Sequence, residues 1–225
     1  MALGYGSEFH LLRWLGRHRN EFNKRVKELL NTTNITWLDF NFDKTQEIPD
    51  KELVGLEFLK NELNYEKILK IWKEEWPQTG NSMNWDLVGY TVQNNIRTWV
   101  LIEAKAHLGE LKQDCGATSL VSIEKIKIAL SETAKSNDVI INEKQPWTKQ
   151  FYQFANRLYV LDFLKRNGIN AKLINLYFVG DMISINRKSP KSKNEWQSKI
   201  KEMKDYLSVK TDNLKVYELF LDINK

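Results

Sequence analysis

The order of apolar and polar positions predicts that helices and strands alternate along the chain. Helical spacing of apolar residues covers residues 7–30, 51–62, 65–76, 119–136, 149–168 and 194–208. Alternating or continuous apolar runs, rich in β-branched and aromatic residues, predict strands over 35–42, 85–92, 96–107, 171–181 and 215–223. Ser7 is a suitable N-cap for the first helix, and Gly168 marks the end of the helix over 149–168.

Two of these strands predict a β-hairpin, because only Gln93, Asn94 and Asn95 separate residues 85–92 from residues 96–107. Helices precede and follow this hairpin, and no linker divides the sequence. The pattern therefore indicates an α/β fold with a mixed central β-sheet flanked by helices, formed by a single domain over residues 1–225.

Composition supports a folded protein outside the membrane. Hydrophobic residues make up 42% of the 225 positions and aromatic residues 12%, which is sufficient for a large core. No apolar run approaches the roughly 20 residues of a membrane span, and the N-terminal residues do not resemble a signal peptide. The lone Cys115 excludes an intramolecular disulfide and a multi-cysteine zinc site. We therefore expect a cytoplasmic protein with no membrane partner.

Basic residues are concentrated in the second half of the chain. The net charge is +5, and the basic excess lies after residue 115. Arg187, Lys188, Lys191 and Lys193 lie in a polar segment that follows the strand over 171–181. Ligands often bind beyond the carboxyl ends of strands, so this segment is a candidate contact for the phosphates of a nucleic acid. A solvated connection is the alternative.

The sequence VLIEAKAH, residues 100–107, places charges at the end of an apolar strand. Glu103 and Lys105 lie two residues apart and share one face of the sheet, and Asp86 begins the other strand of the hairpin. Two adjacent carboxylates favour a hard divalent cation such as Mg²⁺ (or Mn²⁺), to which the backbone carbonyl of Ala104 could add a ligand. Lys105 would then lie beside a phosphate. A surface salt bridge is the alternative for Glu103 and Lys105, but it leaves Asp86 unexplained.

Asp86 after Trp85, followed across the hairpin by Glu103-Ala104-Lys105, resembles the PD-(D/E)XK nuclease superfamily, which has the restriction-endonuclease-like fold. The resemblance implies an αβββαβ core with additional helices here, Mg²⁺-dependent phosphodiester hydrolysis, and Asp86, Glu103 and Lys105 as the catalytic set. Trp85 replaces the proline of the motif. Arg157 stands where one branch of the superfamily has the tyrosine of a Gln-x-x-x-Tyr element that here begins at Gln153.

Other residues are candidates for a supporting role or for contact with substrate. Glu8 could supply a further acid, although acidic residues are also favoured in a first helical turn by the helix dipole. His107 follows Lys105 on the same face, where a structural imidazole is the favoured reading. Gln153, Asn156 and Arg157 share one helix face, and they face either the site or solvent. Trp85 and Trp147 lie near loops and could stack on a base.

The predicted function is that of a metal-dependent nuclease acting on nucleic acid, and the preference for DNA rests on the family resemblance. A nucleic-acid-binding or complex-forming module of the same fold, without hydrolysis, is the alternative. The sequence also leaves open a homodimer or a complex partner.

Overall fold

A computed structural model describes residues 5–38, 52–78, 83–182, 189–211 and 214–224. Six α-helices lie within these ranges: α1 (Ser7–Arg17), α2 (Arg19–Leu30), α3 (Tyr65–Glu75), α4 (Leu120–Ser136), α5 (Tyr152–Arg166) and α6 (Lys193–Leu207). The strands are β1 (Thr36–Trp37), β2 (Leu53–Val54), β3 (Asn84–Trp85), β4 (Leu87–Gln93), β5 (Ile96–Lys105), β6 (Ala171–Val179) and β7 (Val216–Asp222). Short 3₁₀ turns cover Glu57–Leu59 and Leu108–Leu111.

A mixed five-stranded sheet forms the centre of the fold, in the order β1-β4-β5-β6-β7. β4 and β5 pair antiparallel as the predicted hairpin, with Leu87 opposite Ile102. β6 pairs parallel with β5, and β7 pairs parallel with β6. Because β5, β6 and β7 run in one direction, their carboxyl ends lie at the same edge of the sheet. This edge carries the residues that follow Ala104.

The two faces of the sheet are covered by different helices. On one face, Val100 and Ile102 of β5 pack in a cluster with apolar residues of α1 and α2. On the other face, Trp99 and Leu101 belong to a cluster that includes residues of α3 to α6. Side chains alternate along a strand, so Glu103 and Lys105 continue the row of Trp99 and Leu101 and lie on the α5 side.

The α/β class and the mixed sheet are confirmed, but three predicted elements differ. The helix over 7–30 is broken at His18, so that α1 and α2 can both pack on the sheet. The strand over 85–92 is interrupted at Asp86, so that Asn84–Trp85 pairs with β2 whereas Leu87–Gln93 joins the central sheet. The predicted strand over 35–42 lies partly outside the described residues, which end at residue 38 in this part of the chain. The helix predicted over 51–62 is wrong, because Leu53 and Val54 form a strand that pairs with Trp85 and Asn84, which lie 32 and 30 positions further along the chain. That distant pairing overrides the local helical spacing.

No helix in the ranges given above is long and apolar enough to cross a membrane.

His10 of α1 is buried. It is 3% exposed, and its Nε2 lies 3.0 Å from Oδ1 of Asp181 without forming a hydrogen bond. Asp181 also accepts the backbone N–H of Gly6, which holds the start of α1 against the end of β6.

The stability of the fold should be sensitive to the addition of even one methyl group at Gly89. A Cβ at this position would lie 2.5 Å from Cε3 of Trp37 and 2.6 Å from the carbonyl oxygen of Thr36. We expect Gly89→Ala to lower the free energy of unfolding by about 1–3 kcal/mol, because β1 must move away from β4. Gly16→Ala in α1 is the matched control, since its Cβ would meet nothing within 4 Å, and it should stabilise by about 0.5–1 kcal/mol. Urea unfolding measures both, and equal effects would contradict this packing.

Candidate active site

The charged end of β5 lies inside the protein. Glu103 is 5% exposed and Lys105 is partly buried, and the ammonium of Lys105 donates to Oε1 of Glu103. The two side chains therefore lie on one face of the strand, as their spacing predicted. A carboxylate this far from water needs compensation, because desolvating an ion costs several kcal/mol.

α5 supplies most of that compensation to Glu103. The side-chain amide of Gln153 donates to Oε1 over 2.7 Å. Arg157 donates from Nε to Oε2 over 2.9 Å, and its second terminal nitrogen lies 2.7 Å from the same oxygen. Asn156 accepts a hydrogen bond from Arg157 over 3.0 Å. The polar face of the predicted helix therefore points at the site and not at solvent.

Arg157 also connects α5 to β3. It donates to the backbone carbonyl of Asn84 over 2.6 Å, and its guanidinium lies 4.5 Å from the centre of the Trp85 ring. These contacts hold the strand that immediately precedes Asp86. Trp85 is thus the platform beneath Arg157, and at 1% exposure it is not available to stack on a base. Trp147 is 2% exposed and bonds to the carbonyl of Leu207, so it is not available either.

Asp86 lies between β3 and β4 and reaches the end of β5. Its Oδ2 accepts the backbone N–H of Ala104 over 2.6 Å. Oδ1 makes no hydrogen bond with any residue in the described ranges. One oxygen thus fixes the carboxyl group beside Glu103 and Lys105, and the other is left for a ligand.

The two carboxyl groups have pKa values shifted in opposite directions. Burial raises the pKa of Asp86 to about 7, the charge of Glu103 adds to the rise, and Lys105 only partly offsets it. Burial also works against ionised Glu103, but the charges of Arg157 and Lys105 outweigh it, so the pKa of Glu103 is lowered. Near neutral pH, Glu103 is therefore ionised while Asp86 is close to the midpoint of its titration.

These groups line a solvent-reachable cleft of about 890 Å³. Its lining includes Asp86, Glu103, Ala104, Lys105, Gln153, Asn156 and Arg157. The loop before α4 and the paired strands β2 and β3 form further parts of its wall. The structure therefore brings the three central residues and the three polar residues of α5 into one cleft.

Glu8 and His107 do not line this cleft. Glu8 is exposed and is not among the described residues of the lining, although its neighbour Ser7 is. His107 is also outside the lining, and it caps the short turn after β5 together with Glu110. Oε2 of Glu110 accepts the backbone N–H groups of Ala106 and His107. Glu110 thus holds in place the strand end that carries Lys105.

The described part of the basic segment, residues 189–193, lies at the same edge of the sheet as the cleft. Ser189 donates to the carbonyl of Ala106 over 2.7 Å, which places the segment beside the end of β5. Lys191 and Lys193 are exposed just beyond it, and Lys193 lies 5.1 Å from the centre of the Phe220 ring. Arg187 and Lys188 lie outside the described residues.

Glu52 and Asn84 are parts of the site that the sequence did not indicate. Extending the pairing of Leu53 with Trp85 places Glu52 opposite Asp86, and Glu52 contributes to the raised pKa of Asp86. Asn84 donates to Glu52 over 2.9 Å, and both residues line the cleft. Their positions depend on the pairing of β2 with β3, which are far apart in sequence. The sequence pattern predicted a helix over residues 51–62 and therefore did not indicate this pairing.

A metal ion in this cleft would depend on few protein ligands. Across the ranges that the structure describes, no group of three or more His, Cys, Asp or Glu side chains is arranged to hold a metal ion. Mg²⁺ commonly binds through one or two carboxylates and keeps several waters. The donors Asp86 and Glu103, with a free oxygen on Asp86, fit that limited requirement.

Comparison of the chain with models of known protein families, with curated proteins and with solved structures found no match in any of the three. The chemistry of the cleft is therefore interpreted from its own geometry and charge.

The raised pKa of Asp86 predicts how stability depends on pH. A carboxyl group whose pKa is higher in the folded state favours folding at low pH, and this contribution is lost as the pH rises through about 7. In EDTA, we expect Asp86→Asn to be more stable than the wild type at pH 8, by at most about 4 kcal/mol, with the difference shrinking toward pH 4. Urea unfolding at the two pH values measures this.

Asp114→Asn is the control for that experiment. Asp114 is exposed, and its hydrogen bond from Lys149 lowers its pKa. This substitution should therefore give no gain in stability at pH 8. A gain equal to that of Asp86→Asn, or no pH-dependent difference for Asp86→Asn, would contradict the assigned environment of Asp86.

Proposed function

We propose that the protein is a metal-dependent nuclease that hydrolyses phosphodiester bonds, with Asp86, Glu103 and Lys105 as its catalytic residues. The observation that carries the proposal is the meeting of two carboxyl groups and one lysine in a single cleft at a strand end. This combination suits phosphoryl chemistry, because carboxylates hold a divalent cation and an ammonium group offsets charge on a phosphate.

The charge of the cleft supports a requirement for a cation. Among the described residues of its lining are four carboxyl groups, on Glu52, Asp86, Glu103 and Asp114, and two cationic side chains, on Lys105 and Arg157. A phosphate entering such a lining alone would meet an acidic surface. Asp86, Glu103 and the carbonyl of Ala104 would hold Mg²⁺ or Mn²⁺. When bound, this ion supplies positive charge to the scissile phosphate.

Each residue of the site has a role that follows from its position. Lys105 lies at the cleft surface and can donate to a phosphate oxygen or orient the attacking water. Gln153 donates to Glu103 and can keep that carboxylate turned toward the cleft. Ala104 holds Asp86 through its N–H group, which fixes the distance between the two strands of the hairpin at the site.

Nucleic acid is the proposed substrate, and DNA is preferred only because the Asp86, Glu103 and Lys105 pattern resembles the PD-(D/E)XK nucleases. Lys191 and Lys193 lie at the edge of the sheet that carries the cleft. Phosphate contacts from these residues would position a nucleic acid without reading its sequence. A homodimer or another partner protein remains compatible with this assignment.

A nucleic-acid-binding or complex-forming module without hydrolysis is the second candidate. One observation favours it: both oxygens of Glu103 already accept hydrogen bonds from Lys105, Gln153 and Arg157. A cation must displace one of these donors before Glu103 can become its ligand. The two candidates differ in whether that displacement occurs.

Cleavage assays separate the two candidates. Incubation with plasmid DNA and with single-stranded DNA should give products in Mn²⁺ or Mg²⁺ and none in EDTA. Glu103→Gln and Lys105→Met should each reduce the rate by about 10²–10³-fold or more, because each removes a group that stabilises charge at the phosphate. Gel analysis of initial rates is the measurement.

Glu218→Gln is the matched control for the cleavage assay. Glu218 lies on β7, in the row of the sheet that also contains Glu103 and Asn175, but it pairs with Lys204 and is outside the cleft lining. Its substitution should leave the rate unchanged. Binding of DNA without cleavage in either metal would favour the module, and cleavage that persists in Glu103→Gln would contradict the proposed site.

The lysines at the cleft edge predict a change in salt dependence. The double variant Lys191→Ala, Lys193→Ala should bind every DNA sequence more weakly, and the slope of log affinity against log salt should fall by about 0.9 for each lost phosphate contact. Cleavage at saturating substrate should hardly change. Fluorescence anisotropy at several salt concentrations measures the slope.

The control for this prediction uses lysines at the opposite end of the strands. Lys165 and Lys210 line a second depression of about 570 Å³ near the start of β6. Replacing both with Ala removes the same charge at a distance of about 30 Å along the strands. This control should keep the wild-type slope. An unchanged slope in the Lys191 and Lys193 variant would exclude that segment from the nucleic-acid path.

A further inference from the structure

Each nitrogen of the Arg157 side chain has a partner inside the protein. Nε and one terminal nitrogen contact Oε2 of Glu103, this terminal nitrogen also donates to the carbonyl of Asn84, and the other donates to Asn156. The guanidinium lies over Trp85, and the side chain is 4% exposed. The guanidinium of Arg157 is therefore fully used in contacts within the protein, and it is not arranged to contact substrate.

Lys105 is held much less firmly. Its described polar contact is the one with Oε1 of Glu103, its side chain is 12% exposed, and it lines the cleft. The two carboxylate oxygens of Glu103 thus have partners that are held with different firmness. Oε2 faces the fixed guanidinium, whereas Oε1 accepts from Lys105 and from Gln153, both of which lie at the cleft surface.

We infer that Arg157 is the permanent counter-charge of Glu103 and a positioning residue, which leaves Oε1 as the one oxygen of Glu103 that a divalent cation can take. This inference rests on the proposed function. Binding of the cation then displaces Lys105 from Oε1, and the ammonium group becomes available to a phosphate in the cleft. Binding of the cation at Oε1 and release of Lys105 from Oε1 are therefore a single step.

The difference in anchoring explains why Lys105 leaves and Arg157 stays. Removing Arg157 from Glu103 would also break its bonds to Asn84 and Asn156 and expose its contact with Trp85. Displacing Lys105 breaks one ion pair, and its ammonium group can be solvated in the open cleft. A buried carboxylate that kept neither partner would be strongly destabilised, whereas one that exchanges Lys105 for a cation remains neutralised.

A crystal structure with Mn²⁺ soaked into the wild-type protein tests this arrangement directly. We expect the ion about 2 Å from Oε1 of Glu103, Arg157 still bonded to Oε2, and the ammonium group of Lys105 moved away from Glu103. An ion held by Oε2 or by both oxygens, or an Arg157 side chain displaced from Glu103, would overturn the inference.

Mn²⁺ affinity in variants provides a second readout, measured by isothermal titration calorimetry. Arg157→Met should bind Mn²⁺ about tenfold or more tightly, because a positive charge beside Glu103 is lost and Oε2 is freed. Its turnover should nevertheless fall, since Glu103 is no longer oriented. A merely structural role would weaken the binding of Mn²⁺ or leave it unchanged, and either result in the folded variant would overturn the inference.

Arg157→Lys covers the case in which Arg157→Met does not fold. It keeps the charge but loses the forked geometry, so Mn²⁺ affinity should stay within about threefold of the wild type while turnover falls. Turnover equal to that of the wild type would overturn the positioning role. If the wild-type protein binds no Mn²⁺, the proposed function fails together with the inference. If Mn²⁺ binds and DNA is cleaved but Arg157 has moved, only the inference fails.

Discussion

The ion pair between Glu103 and Arg157 links three parts of the fold at one point. Glu103 ends an apolar strand at a depth where an unpaired carboxylate would cost several kcal/mol. Arg157 offsets that cost and, through Asn84 and Trp85, also holds the strand before Asp86. The positions of α5, β5 and β3 are therefore coupled through one guanidinium. The geometry of the cleft depends on this coupling, since β3 leads directly into Asp86, whose side chain accepts the N–H of Ala104 on β5.

Glu103 and Asp86 show how the environment can shift the pKa values of two neighbouring carboxyl groups in opposite directions. Glu103 is surrounded by donors and stays ionised, whereas Asp86 has one backbone donor, is desolvated and lies near another negative charge. The pKa of Asp86 is raised because burial and the charge of Glu103 outweigh the opposing effects of Lys105 and of the N–H group of Ala104. An arrangement of this kind is unfavourable for folding at high pH and becomes favourable when a cation arrives. Stability is thus lower at the place where a ligand can bind, as is common at functional sites.

The carboxyl ends of the parallel strands carry charges of both signs. An acidic cleft lies there beside the exposed lysines at the start of α6, Lys191 and Lys193. Such a border between an acidic pocket and a basic rim suits a polyanion that approaches along the rim and needs a cation at the reacting phosphate. Under the proposed function, the carboxylates would hold the cation at the reacting phosphate and the lysines would contact the nucleic-acid backbone.

Local sequence determined the class of the fold and the centre of the site. The hairpin, the helices α3 to α6 and the strands β6 and β7 follow from apolar periodicity, because each buries one face against a neighbour. The grouping of Glu103 with Lys105 follows from the two-residue repeat of a strand, and the pairing of their strand with the one after Asp86 follows from the short turn. These are contacts between residues that are close in sequence or fixed by strand geometry.

Contacts over long sequence distances were decided only by the tertiary structure. Glu52 lies opposite Asp86 because β2 pairs with β3, and no local pattern specifies that pairing. Helix periodicity gave Gln153, Asn156 and Arg157 a common face but could not tell whether that face met solvent or Glu103. The sequence pattern does not predict the break between α1 and α2 at His18, because helical spacing of apolar residues continues through it. In each case the local sequence pattern determines which side chains share one face of a helix or strand. The free energy of burying that face determines which other part of the fold it packs against.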